Sequence, residues 1–147
     1  MSGSYLLDAN IVIALFASDT AVSEHLKSAA EVFIPSIVIG ELFYGARKSS
    51  RVKENTTRIN EFVESNAILS CDVETARRYG EIKAHLRQKG RPIPENDVWI
   101  AALALQHTLV LVSRDAHFRY LENLESRNLV GASLWDLYGN VHRSEDS

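Results

Sequence analysis

The sequence predicts a three-layer α/β domain, a central parallel sheet covered by helices. Short apolar runs alternate with helix-length stretches along the 147 residues. The runs "YLL", "VFIP" and "LVLVS" are continuously apolar, as strands buried on both faces must be. The chain is 46% hydrophobic and 24% charged, ordinary globular usage at a length that builds one sizeable core.

The elements follow in order. "YLLD" reads as a buried strand, and "NIVIALFAS" as a helix that Asn10 caps. "TAVSEHLKSAAE" reads as a second helix leading into the strand "VFIP". "SIVIGELFYGARKS" is helical with Ser36 as N-cap, and is apolar nearly all round, which predicts a buried helix. Gly40 and Gly45 each weaken it by about 1 kcal/mol relative to alanine. Close backbone packing would account for both. "RVKENTTRINEFVESN" is amphipathic, with Val52, Ile59 and Phe62 on its apolar side, and "AILS" is a short strand. "DVETARRYGEIKAHLRQKG" is a helix capped by Asp72 and stopped by Gly90. "RPIPEN" is a loop stiffened by two prolines, and "DVWIAALALQHT" is an apolar helix before the strand "LVLVS". An edge strand near Leu129 and a helical turn at "SLWDLYG" complete the reading.

Composition bounds the function. The net charge of −3 excludes a general polyanion binder, so any polyanion must be held by local basic patches. The single cysteine, Cys71, excludes an internal disulfide, suits a reducing cytosol, and reads as a small buried hydrophobe. No basic leader precedes "IVIALFA", and that run is too short to span a bilayer. A cytoplasmic protein with no membrane association is expected: one domain over residues 1–147, with an ordered core of about 5–139 and mobile polar ends at "MSGS" and "HRSEDS".

The acids fall where such a fold puts ligands, in the crevice beyond the carboxyl ends of the strands. Asp8 closes the first strand, Asp115 follows "LVLVS" by one short step, and Glu41 lies in the second turn of the helix after "VFIP". Asp97 opens the helix before "LVLVS" and can reach the same rim. Taken singly, Asp8 and Asp115 read as caps, and Asp97 as a first-turn acid favouring the helix dipole. Glu41 is different. A carboxylate in an apolar helix costs several kcal/mol unless it meets a cation, and no Lys or Arg precedes it nearby in its helix. Four carboxylates on one rim repel and raise one another's pKa values, and a divalent cation reverses that logic. All-oxygen ligands select Mg²⁺ or Mn²⁺ over zinc. The five histidines show no paired metal spacing and read as structural or surface residues. Such a centre suits phosphodiester hydrolysis with an activated water, one acid serving as general base.

Basic residues would then hold the polyanion. Lys83, Arg87 and Arg91 follow at helical spacing toward the "RPIP" loop, and Arg114 adjoins Asp115. Arg47, Lys48, Arg51 and Lys53 form a second cluster. Each cluster alone reads equally well as a solvated face. Trp99 and Trp135 read as core or interface residues rather than base platforms.

In this order and at these separations, "LLDANIVIAL", "PSIVIGELFYGA", "NDVWIAALAL" and "LVLVSRDAHF" resemble PIN-domain ribonucleases, above all VapC-type toxins of bacterial toxin–antitoxin pairs. No one segment is specific; four in register, from Leu6 to Phe118, are. The resemblance implies a five-stranded parallel sheet and Mg²⁺- or Mn²⁺-dependent endonuclease activity on RNA, with tRNA and rRNA as candidate substrates. It implies Asp8, Glu41, Asp97 and Asp115 as the metal-binding, catalytic acids and Asn10 and Ser113 as supporting polar groups. It also implies a homodimer and a small antitoxin that wraps the helices beside the site. One departure is Ala9, where many relatives carry a hydroxyl residue.

Three other readings compete. A housekeeping RNA-processing PIN nuclease would have the same fold and acids. A phosphatase with an aspartate nucleophile would want a second acid two residues after Asp8, where Asn10 stands. A receiver-like binding module would need a lysine near the rim that "LVLVSRD" does not offer.

Overall fold

A computed structural model of the chain describes residues 3–129. Five strands, β1 (Ser4–Leu7), β2 (Glu31–Pro35), β3 (Ala67–Leu69), β4 (Val110–Ser113) and β5 (Ser126–Asn128), form one sheet in the order β3-β2-β1-β4-β5. All four pairings are parallel, and Leu6 of β1 sits between Phe33 of β2 and Leu111 of β4. Leu6, Leu111 and Val112 are fully buried, which explains why these strands carry no polar alternation.

Six helices connect the strands: α1 (Ala9–Phe16), α2 (Thr20–Leu26), α3 (Ser36–Lys48), α4 (Val52–Ser65), α5 (Val73–Gln88) and α6 (Glu95–His107). A 3₁₀ helix, Ala116–Tyr120, lies between β4 and β5. The chain walks outward through β1, β2 and β3, then returns past β1 to β4 and β5. With right-handed crossovers, that reversal sends α5 and α6 to the face opposite α1 to α4. It also makes the gap between β1 and β4 the switch point where a crevice opens at the strands' carboxyl ends.

Local chemistry sets the ends of the connecting helices. Asp72 caps α5 in a reciprocal box, with Thr75 N–H donating to Asp72 Oδ1 and Asp72 N–H to Thr75 Oγ1, both at 3.0 Å. At the other end Gly90 takes φ 65°, its N–H donates to the Arg87 carbonyl at 3.1 Å, and the Arg91 N–H donates to the Leu86 carbonyl at 3.0 Å. This is a Schellman end, and it holds the "RPIP" loop at its start. Helix α6 is buried along most of its length, through Val98, Ile100, Ala101, Ala102, Leu103 and Ala104. It closes on Thr108 in the left-handed region, at φ 54°.

Several sequence expectations change. Asp8, not Asn10, caps α1. The second helix ends at Leu26 rather than near Glu31, whose residue already belongs to β2. Pro35 occupies the N-cap position of α3, with Ser36 its first helical residue. Helix α3 is not buried all round: Val38, Leu42 and Ala46 face the core, while Tyr44 is 65% exposed. Its glycines make no close approach, since a Cβ at Gly40 or Gly45 meets nothing within 4 Å. Cys71 is exposed, because it stands in the turn before the Asp72 cap rather than in a strand. The last strand ends just before Leu129, whose N–H bonds to the Ser113 carbonyl at 3.0 Å. Trp135, the "SLWDLYG" turn and the "HRSEDS" tail lie outside the described residues, as do the first two residues. Among the described residues no helix is long and apolar enough to cross a membrane.

Candidate active site

The four acids singled out in the sequence line one cleft of about 550 Å³, together with Asn10, Ile13 and the Pro94–Asn96 turn. Each arrives on a different element. Asp8 leaves β1 and caps α1, its Oδ1 accepting from the Ala9 N–H at 2.8 Å. Glu41 comes from α3, Asp97 from the first turn of α6, and Asp115 from the step between β4 and the 3₁₀ helix. Asp115 makes no side-chain cap bond to that helix, so the capping role does not account for it.

Ser113 and Asn10 tie the two sides of the switch point together. Ser113 Oγ donates to Asp8 Oδ2 at 2.7 Å and accepts from the Asp115 N–H at 3.0 Å. Asn10 Nδ2 lies 3.3 Å from Asp115 Oδ2, 3.4 Å from Ser113 Oγ and 3.5 Å from Asp8 Oδ2. Its Oδ1 accepts from the Arg114 N–H at 3.0 Å. Both side chains therefore act as scaffolding between carboxylates.

Sequence reasoning missed His117. Its Nε2 lies 2.8 Å from Asp97 Oδ2, and a ligand atom from each of Asp97, Asp115 and His117 lies within 4.8 Å of the others. The signal was the i, i+2 spacing to Asp115 in "RDAHF", which no metal pattern singles out.

Burial and mutual repulsion act together on these carboxylates. Burial raises the Asp8 carboxyl above its ordinary value, with the Asp115 charge adding to it, against relief from Ser113 and the Ala9 N–H. Glu41 is raised by burial and by the charges of Asp8 and Asp97, against relief from an Asn96 hydrogen bond. Asp97 is pushed up to about 6 by burial and the Asp8 charge, although His117 pulls the other way. One oxygen of Glu41, Oε1, is enclosed with no hydrogen-bond partner. A buried carboxylate oxygen without a donor is costly, and a hard cation would satisfy it. The donor set, carboxylate oxygens with one imidazole at the edge, fits a hard divalent ion.

The basic residues divide. Arg114 Nη2 pairs with Asp19 Oδ2 at 2.7 Å, and Lys83 Nζ with Glu95 Oε2 at 2.9 Å. Arg91 stacks over the Tyr120 ring at 4.4 Å. Arg87 is exposed in the last turn of α5. In the second cluster Arg51 pairs with Glu54 and Lys48 lies over the Tyr44 ring at 4.5 Å. Trp99 is stacked on Tyr79 at 4.1 Å between α5 and α6, in keeping with a packing role.

Comparison with known proteins identifies the family of the chain. The PIN domain model matches residues 5–124. Ribonuclease VapC2 of Haemophilus influenzae is 37% identical over 113 residues, which cover 76% of this chain and 86% of that protein. The tRNA(fMet)-specific endonuclease VapC of Shigella flexneri is 33% identical over 113 residues, with the same coverage of 76% and 86%. Among solved structures, VapBC2 from Rickettsia felis, bound to a DNA fragment from its promoter, superposes with a TM-score of 0.78 at 30% identity, covering 85% of this chain and 98% of that one. The chain therefore belongs to the PIN-domain family, among its VapC ribonucleases.

Proposed function

We propose that this chain is the toxin of a toxin–antitoxin pair, an endoribonuclease that uses Mg²⁺ or Mn²⁺ held by Asp8, Glu41, Asp97 and Asp115. The observation that carries the reading is the enclosed, partnerless Glu41 oxygen facing three other carboxylates in one cleft. When bound, a divalent cation would supply electrostatic stabilisation to the phosphate and lower the pKa of a water. The chain's residues do the rest. Ser113 and Asn10 hold Asp8 and Asp115 in register across the switch point, and His117 orients Asp97. Asp8 and Asp97 are buried at 4% and 8% exposure, so little bulk water competes at the floor of the cleft.

For the substrate, Arg87 and Arg91, exposed and with no carboxylate partner among the described residues, are the cations free to meet phosphate directly. Lys83 and Arg114, paired with Glu95 and Asp19, contribute positive field and exchange partners when RNA binds. The antitoxin would cover the apolar groove beside the acids, lined by Ile13, Phe16, Leu42, Ala46 and Ile59 between α1, α3 and α4. That groove shares Ala9, Ile13 and Glu41 with the acidic cleft, so an occupant would also crowd the site. A homodimer is part of the same reading, and sedimentation tests it.

The experiment is cleavage of a mixed tRNA and rRNA pool by the partner-free chain and its Asp97→Asn variant, with Mg²⁺, Mn²⁺ or chelator. Cleavage by the parent alone, lost in chelator, is expected, and mapped ends would name the substrate. Equal cleavage by both proteins would overturn the assignment of the acids.

A further inference from the structure

A second cavity, of about 830 Å³, opens between the end of α5, the "RPIP" loop and the segment after the 3₁₀ helix. Lys89, Arg91, Arg119 and Tyr120 line it. Lys89 is neutralised by Glu122 at 2.8 Å. Arg91 and Arg119 have no carboxylate partner among the described residues; both address the ring of Tyr120, at 4.4 Å and 5.5 Å. The hydrogen bond from Arg119, with the positive charge of both guanidiniums, holds the Tyr120 phenol below its ordinary value.

This cluster is built, not adventitious. The Schellman end of α5 fixes the Arg91 backbone, and Pro92 follows it at once. Tyr120 ends a 3₁₀ helix that starts one residue after Asp115. At about 2 Å of rise per residue, Tyr120 stands roughly 10 Å along the chain from that acid. Arg91 precedes Asp97 by six residues, so both halves of the cluster hang from segments that carry acids of the cleft.

Two guanidiniums with no carboxylate partner among the described residues, set against one aromatic ring, match a ligand that is both anionic and π-faced. Unpaired nucleotides have that chemistry, their bases stacking on aromatic rings and arginine planes while phosphates meet the charge. An acidic peptide would use the charge but not the stack. We propose that Arg91, Tyr120 and Arg119 form a subsite for one unpaired nucleotide of the RNA, a short step along the strand from the bond to be cut. The proposal rests on the ribonuclease reading and deepens it by naming where a base outside the scissile linkage is held.

Fluorescence anisotropy tests it on the full chain carrying Asp97→Asn, so that RNA binds without being cut. The probes are a mixed-sequence single-stranded RNA decamer and a trinucleotide. Adding Tyr120→Leu should raise the decamer Kd about tenfold, within the range for loss of one base stack, and leave the trinucleotide little changed. Replacing both exposed arginines, Arg91→Gln with Arg119→Gln, should flatten the logarithmic salt dependence by about 1.4, as expected for two lost phosphate contacts. With Asp97 restored, the same substitutions should raise KM on long RNA while kcat stays within about twofold. Variants that melt like the parent yet keep its decamer affinity and salt dependence would overturn the subsite, as would a parent that binds no decamer. Loss of binding to an acidic peptide alone, with RNA unaffected, would also overturn it. Subsite-dependent binding with no metal-dependent cleavage would sink the ribonuclease reading and leave the subsite standing.

Discussion

Asp97→Asn should stabilise the metal-free protein while it disables the site. Asp97 is 8% exposed, and burial with the nearby Asp8 charge puts its carboxyl at about 6, against 3.8 for an ordinary aspartate. A carboxyl raised on folding is easier to protonate in the native than in the unfolded chain, so its penalty accumulates between those two values and is complete above the higher one. Near pH 7.5 the shift from 3.8 to about 6 corresponds to a cost of about 3 kcal/mol. Asparagine removes the charge and keeps an acceptor for His117 Nε2, which lies 2.8 Å from Asp97 Oδ2. That cost already includes the pull of His117, and burying the carboxamide carries a desolvation cost of its own, so the expected net gain is about 1–2 kcal/mol. For a domain of this size that is roughly 3–6 °C in Tm. Thermal melts of parent and variant in chelator would measure it. The aspartate's cost falls to about half near pH 5 and below about 1 kcal/mol near pH 4, so the gap should close near pH 5 and change sign by about pH 4. Saturating Mg²⁺ should reverse the order, since binding at about a hundred times Kd adds about 2.7 kcal/mol to the parent. A variant less stable than the parent in chelator near pH 7.5, or a gap that ignores pH, would refute the frustrated-acid account.

Other expectations follow from the same geometry. Ser113→Ala removes the donor to Asp8 Oδ2 and the acceptor of the Asp115 N–H; calorimetry should show Mg²⁺ or Mn²⁺ affinity down about 10–100-fold. Glu41→Gln should abolish cleavage yet leave the circular dichroism spectrum unchanged, because Oε1 has no protein partner to lose and glutamine keeps an acceptor for Asn96. Metal affinity should fall as pH drops through about 6, where a proton competes for Asp97; titrations that find it flat between about pH 5 and pH 7.5 would argue against Asp97 as a ligand. Thr108→Gly should raise stability by about 0.5–1 kcal/mol in denaturant melts, relieving a β-branched residue at φ 54°.

Much of the fold was legible because its signals are local. Buried parallel strands read as apolar runs, Asp72 and Gly90 mark the two ends of α5, and the positions of Asp8 and Asp115 after apolar strands pointed to the carboxyl rim. Burial of individual residues was less legible. The apolar composition of α3 suggested full burial, but sequence does not say which side of a helix finds a neighbour, and Tyr44 finds none that covers it. Cys71 was misjudged for the same reason, since a residue's type biases its burial while its place in a turn decides it.

The sequence by itself determined the class of fold and the order of its elements, and singled out the four acids that line one cleft, all carried by spacing along the chain. Only the tertiary structure decided what those acids touch. Asn10 and Ser113 meet across 103 residues, Arg114 is claimed by Asp19 across 95, and His117 reaches Asp97 across 20. Such contacts arise because the return of the chain from β3 to β4 lays strand ends distant in sequence about 5 Å apart. Polar side chains carry no record of which distant partner that reversal will bring within hydrogen-bond distance.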